Sequence, residues 1–216
     1  MKIAIVEDHQ MVRRALCALV ATFEGMSVIC EAKNGCDFFQ KIKEIPDVVL
    51  LDIQMPVMNG FETCKAITDK YPEIKVLMLS QLSDKETIFQ VVKCGAHGFF
   101  TKNSDPDELQ CALRKVTDNG FYFANDLALV LRDVVLWNNR QLESYYGSIV
   151  LTNREIEVLC LAAQEFSSAE IAEKLFINVR TVETHRKRIM EKTGARNFLG
   201  AVIFAVRRNY ISLDSF

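Results

Sequence analysis

Paired cysteines, prolines and long apolar runs are what this sequence is short of, and each shortage removes a class of protein. Four prolines and nine glycines in 216 residues are too few for a collagen-like or low-complexity chain. No apolar stretch approaches the roughly 18 residues that span a bilayer. The N-terminal Met1-Lys2-Ile3-Ala4-Ile5-Val6 runs straight into Glu7-Asp8, with no signal-peptide cleavage pattern. A cytoplasmic protein with no membrane partner is therefore expected. Seven cysteines stand singly at 17, 30, 36, 64, 94, 111 and 160, none in a Cys-x-x-Cys pair. Neither a disulfide framework nor a zinc site is indicated, and the cysteines read as reduced, small core residues. There is also no internal repeat.

What is present is apolar content for real cores, 50% of the chain, and a hidden charge asymmetry. Residues 1–125 carry 14 Lys/Arg against 17 Asp/Glu, whereas residues 149–216 carry 10 against 8. Five of those ten lie between Arg180 and Lys192, so one short segment concentrates the basic charge.

The stretch Asp47-Val48-Val49-Leu50-Leu51-Asp52 organises the first half. Its apolar run has no polar alternation, which fits a strand buried on both faces of a parallel sheet, with Asp52 at the carboxyl tip where open α/β sheets bind ligands. Similar runs recur at Ile3–Val6, Ser27–Cys30, Val76–Leu79 and Gly98–Phe100, separated by amphipathic stretches of helical period. Met11, Leu16, Leu19, Val20 and Phe23 form the first helical face; Leu109, Ala112, Leu113 and Val116 form the last. Strands alternating with helices imply an α/β, doubly wound, five-stranded parallel sheet.

In such a sheet Glu7-Asp8, Asp52, Ser80 and Thr101-Lys102 share one edge. Alone, each is ordinary: a helix N-terminal charge pair, a helix cap, a turn residue, a solvated lysine. Together they put three carboxylates beside a hydroxyl and an ammonium. Packed carboxylates need a cation, and an all-oxygen cluster suits Mg²⁺ better than zinc. Asp8 and Asp52 could share that metal, leaving Asp52 as nucleophile toward a phosphoryl group, with Ser80 and Lys102 on its other oxygens.

The second half reads as all-α. Residues 123–148 suggest a linker helix, through Leu127, Val130, Leu131, Val134, Val135 and Trp137, and then a polar tether. Capping-box patterns at Thr152–Glu155 and Ser167–Glu170 open two helices. A third is expected from Val179 to about Lys192, closed by Gly194, and a fourth from Leu199 to Arg208. Val179, Val182, Ile189 and Met190 are expected to form the third helix's core face, with Arg180, Glu183, Thr184, Lys187, Arg188 and Glu191 outward. A short helix, a tight turn and this helix make a helix-turn-helix.

Residues 1–122 resemble the receiver domain of a bacterial response regulator. Glu7-Asp8 matches its acidic pair, Asp52 its phospho-acceptor, Pro56 and Gly60 the following motif, Ser80 its switch hydroxyl and Lys102 its lysine. The resemblance implies Mg²⁺ held by Glu7, Asp8, Asp52 and the Gln54 carbonyl, and Phe99 as switch aromatic. Gln81 departs from the small residue usual there. Residues 149–216 resemble the LuxR-type DNA-binding domain of the NarL/FixJ subfamily, through Leu151–Glu155, Glu170-Ile171-Ala172 and Thr181-Val182-Glu183-Thr184-His185. Glu165 stands where that family commonly has glycine, and Glu183 where it often has lysine.

The combined reading is a transcriptional response regulator. A sensor histidine kinase phosphorylates Asp52, and phosphorylation promotes a homodimer that binds promoter double-stranded DNA. Its DNA face would comprise Arg180, Thr181, Glu183, Thr184, Arg186, Lys187, Arg188 and Lys192, with His185 packing or touching phosphate and the fourth helix adding a dimer contact through its apolar face. Two other readings stand beside it. A phosphohydrolase with a covalent aspartyl intermediate would want an acid two positions after Asp52, where Gln54 stands. A DNA binder with a vestigial receiver would not need the intact acidic set.

Overall fold

The computed structural model describes residues 1–81, 85–123 and 149–211. The expected linker helix and tether lie outside the described residues. Those described fall into two compact units, 1–117 with 122–123, and 118–121 with 149–211.

In the first unit the apolar runs become β1 (Lys2–Val6), β2 (Ser27–Ala32), β3 (Val48–Asp52), β4 (Lys75–Ser80) and β5 (Gly98–Thr101). Between and after them lie α1 (Gln10–Ala21), α2 (Gly35–Lys41), α3 (Gly60–Lys70), α4 (Lys85–Cys94) and α5 (Pro106–Asp118). All pairings are parallel in the order β2-β1-β3-β4-β5, and a two-residue β6 (Tyr122–Phe123) extends the β5 edge. Two residues are too short for a period to announce them.

Alternation across the pleat divides the core. Ile3, Ile5, Val48, Leu50, Leu77, Leu79 and Phe100 pack with Val20 and Phe23 and with Leu109, Ala112, Leu113 and Val116 of α5. Phe38, Cys64, Ile67 and Val91, from α2, α3 and α4, are also fully buried. Met11, expected on the inner face of α1, is instead 86% exposed. It is too near the helix start to reach the sheet. Nor are the cysteines all core residues: only Cys64 and Cys94 are buried, while Cys36 and Cys111 are exposed.

The second unit contains α6 (Asn153–Ala163), α7 (Ser168–Lys174), α8 (Val179–Thr193) and α9 (Phe198–Arg207). Both expected capping boxes form, Thr152 with Glu155 and Ser167 with Glu170. All four helices end on a left-handed residue: Glu165, Phe176, Gly194 and Asn209. After α6, the N–H of Glu165 donates to Ala162 and that of Phe166 to Leu161, the paired bonds that satisfy a helix's last carbonyls. In α9 every apolar residue from Phe198 to Val206 is buried. The expected apolar dimer face on this helix is therefore not exposed in this conformation.

Candidate functional site: an acidic pocket and an exposed basic helix

Register explains why distant residues meet. Val6 pairs with Leu51, Asp52 with Leu79 and Ser80 with Thr101, so the ends of β1, β3, β4 and β5 align on one edge. The Lys102 N–H donates to the Ser80 carbonyl at 2.7 Å, tying those two ends together. From that edge the Lys102 ammonium lies 2.6 Å from Glu7 Oε2 and 2.8 Å from Asp52 Oδ1. Glu7 and Asp52 are both buried.

Burial pushes the Asp52 carboxyl up; the Lys102 hydrogen bond and charge oppose it, Glu7 and Asp8 add to it, and the net direction is upward. For Lys102 burial works downward, yet hydrogen bonds to Asp52 and Glu7 outweigh it and its pKa is raised. The pocket thus holds a buried carboxylate whose charge is only partly compensated. Asp8 supplies the test of whether a cation fits. Its Oδ1 is buried with no hydrogen-bond partner, although it lies 2.9 Å from His9 Nδ1. A carboxylate oxygen out of water and without a donor, beside two further carboxylates, is a donor set that fits Mg²⁺.

The other expected pocket residues surround this centre. Gln54 is exposed on the loop after β3, Ser80 is half-buried at the end of β4, Gln81 is exposed, and Phe99 is buried within β5. Val57 on the same loop has a φ of 72°, unfavourable for a β-branched residue, which marks strain next to Asp52. Gly60 lies against that strand end: a Cβ there would meet the Asp52 carbonyl oxygen and come within 2.7 Å of Ile53 Cα.

Sequence reasoning missed two residues. Arg13 on α1 donates to the Glu7 carbonyl at 2.6 Å and to the Asp8 carbonyl at 3.4 Å, fixing the backbone of the acidic pair. Its signal was a base one turn inside a helix that starts just after two acids. His9, whose N–H donates to Glu7 Oε1 at 3.2 Å, was the other.

On α8 the residues Arg180, Thr181, Glu183, Thr184, Lys187 and Arg188 are exposed as expected. Thr184 Oγ1 donates to the Arg180 carbonyl, and Lys187, 77% exposed, lies 4.0 Å from Glu191. Two expected phosphate contacts are placed otherwise. Arg186 is only 5% exposed, donating to Ser168 Oγ at 2.8 Å and lying 4.2 Å from the Phe198 ring. Lys192 Nζ lies 2.7 Å from the buried Glu155. The core stripe runs Val182, Arg186, Ile189, Thr193, while Val179, expected inside, is 45% exposed. His185 keeps its Nδ1 buried and without a hydrogen-bond partner.

Known proteins resemble both units. The response regulator receiver domain family matches residues 3–114, and the family of bacterial regulatory proteins of the luxR type matches residues 149–205. The transcriptional regulatory protein LnrK of Bacillus subtilis is 37% identical over 212 residues, 95% of this chain and 96% of its own. The oxygen regulatory protein NreC of Staphylococcus aureus is 34% identical over 215 residues, 98% and 99% of the two chains. A solved structure of the Salmonella typhimurium RcsB response regulator, from a study of its conformational dynamism for DNA interaction, gives a TM-score of 0.56. It is 23% identical and covers 94% of this chain and 98% of its own, a likeness of fold alone.

Proposed function

Because this chain belongs to the LuxR-type response regulators of two-component systems, which are DNA-binding transcription regulators, we propose that Asp52 is its phospho-acceptor and that phosphorylation controls a DNA-binding homodimer. In this reading residues 1–122 are the receiver domain, 123–148 a linker helix and tether, and 149–216 the DNA-binding domain. The observation that carries it is the buried Asp52 carboxylate, held 2.8 Å from the Lys102 ammonium beside the unsatisfied oxygen of Asp8.

A carboxylate oxygen of Asp52 attacks phosphorus in line. The new bond is an acyl phosphate; the bond broken is the P–N bond of a kinase phosphohistidine, whose imidazole departs with the electron pair. Glu7, Asp8, Asp52 and the Gln54 carbonyl would hold Mg²⁺, which when bound offsets charge on the phosphoryl oxygens. Lys102 takes one of those oxygens and the Ser80 hydroxyl another, each drawn toward a group carrying about −1.5 to −2 charge. That inward pull, relayed past Phe99, is the switch that leads to the dimer. On DNA, Lys187, Thr184 and Glu183 address base edges, while Arg180, Thr181 and Arg188 meet the backbone.

The test is labelling by acetyl phosphate or by a phosphorylated kinase with Mg²⁺ present. Asp52→Asn should take up no phosphoryl group, since an amide is a poor nucleophile. Labelling of that variant at the parent level would put the acceptor elsewhere.

A further inference from the structure

We propose that Phe176 and Val179 form an apolar tip that packs against DNA and reads the C5-methyl group of thymine; the proposal rests on reading α8 as the helix that enters the major groove. Phe176 ends α7 in the left-handed region, at a φ of 54°. Its N–H donates to the Glu173 carbonyl and that of Ile177 to Ala172, the bonds that close a helix and demand this conformation. Glycine meets that demand freely and asparagine at little cost, whereas a bulky side chain there is strained. Burial returns nothing for the strain, because Phe176 is 95% exposed. An aromatic ring that costs the fold and contributes nothing to it points to a role outside the fold.

Three positions on, Val179 opens α8 and is 45% exposed. Among the described residues of the helical unit the exposed large apolar side chains are Val150, Phe176 and Val179, and two of these three stand at the start of α8. Charge selects what they meet. From Lys174 to Val182 the sequence carries two bases, Lys174 and Arg180, and no acid. The unpaired N–H groups at the start of the 15-residue α8 add positive potential at the same end. Apolar side chains among positive charge fit a polyanion that also presents apolar groups, and the partner of this family, duplex DNA, is one: phosphates border its major groove and the thymine methyl projects into it. The first residues of a recognition helix are those that reach base edges, and apolar ones among them meet that methyl rather than a hydrogen-bonding edge.

The test is binding of the full chain to a duplex that it selects from a random pool, and to copies of that duplex in which each thymine in turn is replaced by deoxyuridine. In the parent, loss of the methyl at one position of each half-site should lower affinity about fourfold, the worth of one buried methyl group. The double variant Phe176→Asn, Val179→Ser should bind the selected duplex more weakly and be indifferent to that replacement. Phe176→Asn alone should keep or raise the urea midpoint, because asparagine tolerates the left-handed turn, so weaker binding by it would not come from unfolding. A deoxyuridine penalty as large in the double variant as in the parent, or no penalty in the parent, would overturn the proposal. So would unchanged DNA affinity in the double variant joined to lost transcription, which would make the tip a contact for a protein of the transcription machinery. Lys187→Ala separates this proposal from the reading beneath it. If that variant binds weakly while the tip variants bind as the parent does, α8 still enters the groove and the tip alone fails; if none of them changes binding, the reading of α8 fails as well.

Discussion

At the scale of single residues the pocket trades stability for chemistry. Asp52 has a folded-state pKa above its unfolded value, so the folded chain holds the proton longer than the unfolded one does. Stability from this group is present at low pH and falls as pH rises through the window above the ordinary carboxylate range. Asp52→Asn should therefore raise the thermal midpoint by a few degrees near neutrality and flatten its pH dependence over that window, as calorimetry would read. An unchanged midpoint would mean that Lys102 compensates the buried charge fully. Glu155 shows the opposite sign. Burial works to raise its pKa, but hydrogen bonds from Lys192 and Thr152 and the Lys192 charge outweigh it and leave it lowered. Its contribution is present above the unfolded value and lost as pH falls through the lower folded value, so Lys192→Ala should cost about 1–3 kcal/mol near neutrality and less in acid, measured by urea unfolding. These residues also show what the sequence made legible. Asp52 and Lys102 were readable because each ends an apolar run, and a run's end is a position in space. Arg186 was misread because its charge spoke louder than its spacing: 182, 186, 189 and 193 is the 4-3-4 rhythm of an inner helix face. Arg186→Ala should lower the urea midpoint while leaving the salt dependence of DNA binding as it was; a salt slope smaller by about one would restore Arg186 as a phosphate contact.

At the scale of elements, helix beginnings were easier to foresee than helix ends. The boxes at Thr152 and Ser167 are side-chain chemistry written in the sequence, and both form. Endings depend on backbone conformation. Of the four left-handed residues that end α6 to α9, only Gly194 announces itself, and only Asn209 is otherwise of a type that tolerates that region well. Glu165 has a φ of 63°, a conformation that glycine adopts without the steric cost a Cβ brings. Glu165→Gly should add about 1 kcal/mol of stability by removing the clash of Cβ with its own backbone. A lower urea midpoint would show that the glutamate side chain contributes more than the strain costs. Such a gain would come without touching the exposed face of α8.

At the scale of the whole molecule, the question is how an event at the sheet edge of one unit is felt by the helical unit of a DNA-binding regulator. Phosphorylation should convert a monomer into a symmetric dimer, seen by light scattering with and without a phosphoryl mimic over micromolar concentrations; equal masses would confine the switch to events within one chain. The buried apolar side chains of α9 set a condition on that dimer: if this helix takes part, its apolar residues must first be uncovered. The order in which the chain is made adds a constraint of its own. β3 lies third in a six-strand sheet, yet the ammonium that offsets its terminal carboxylate arrives only with Lys102, 95 positions after Glu7. A nascent chain on the ribosome thus displays Glu7, Asp8 and Asp52 before it owns their counter-charge. Until Lys102 emerges, Asp52 must stay hydrated or protonated, so the carboxyl edge of the sheet is among the last parts of the unit to dry.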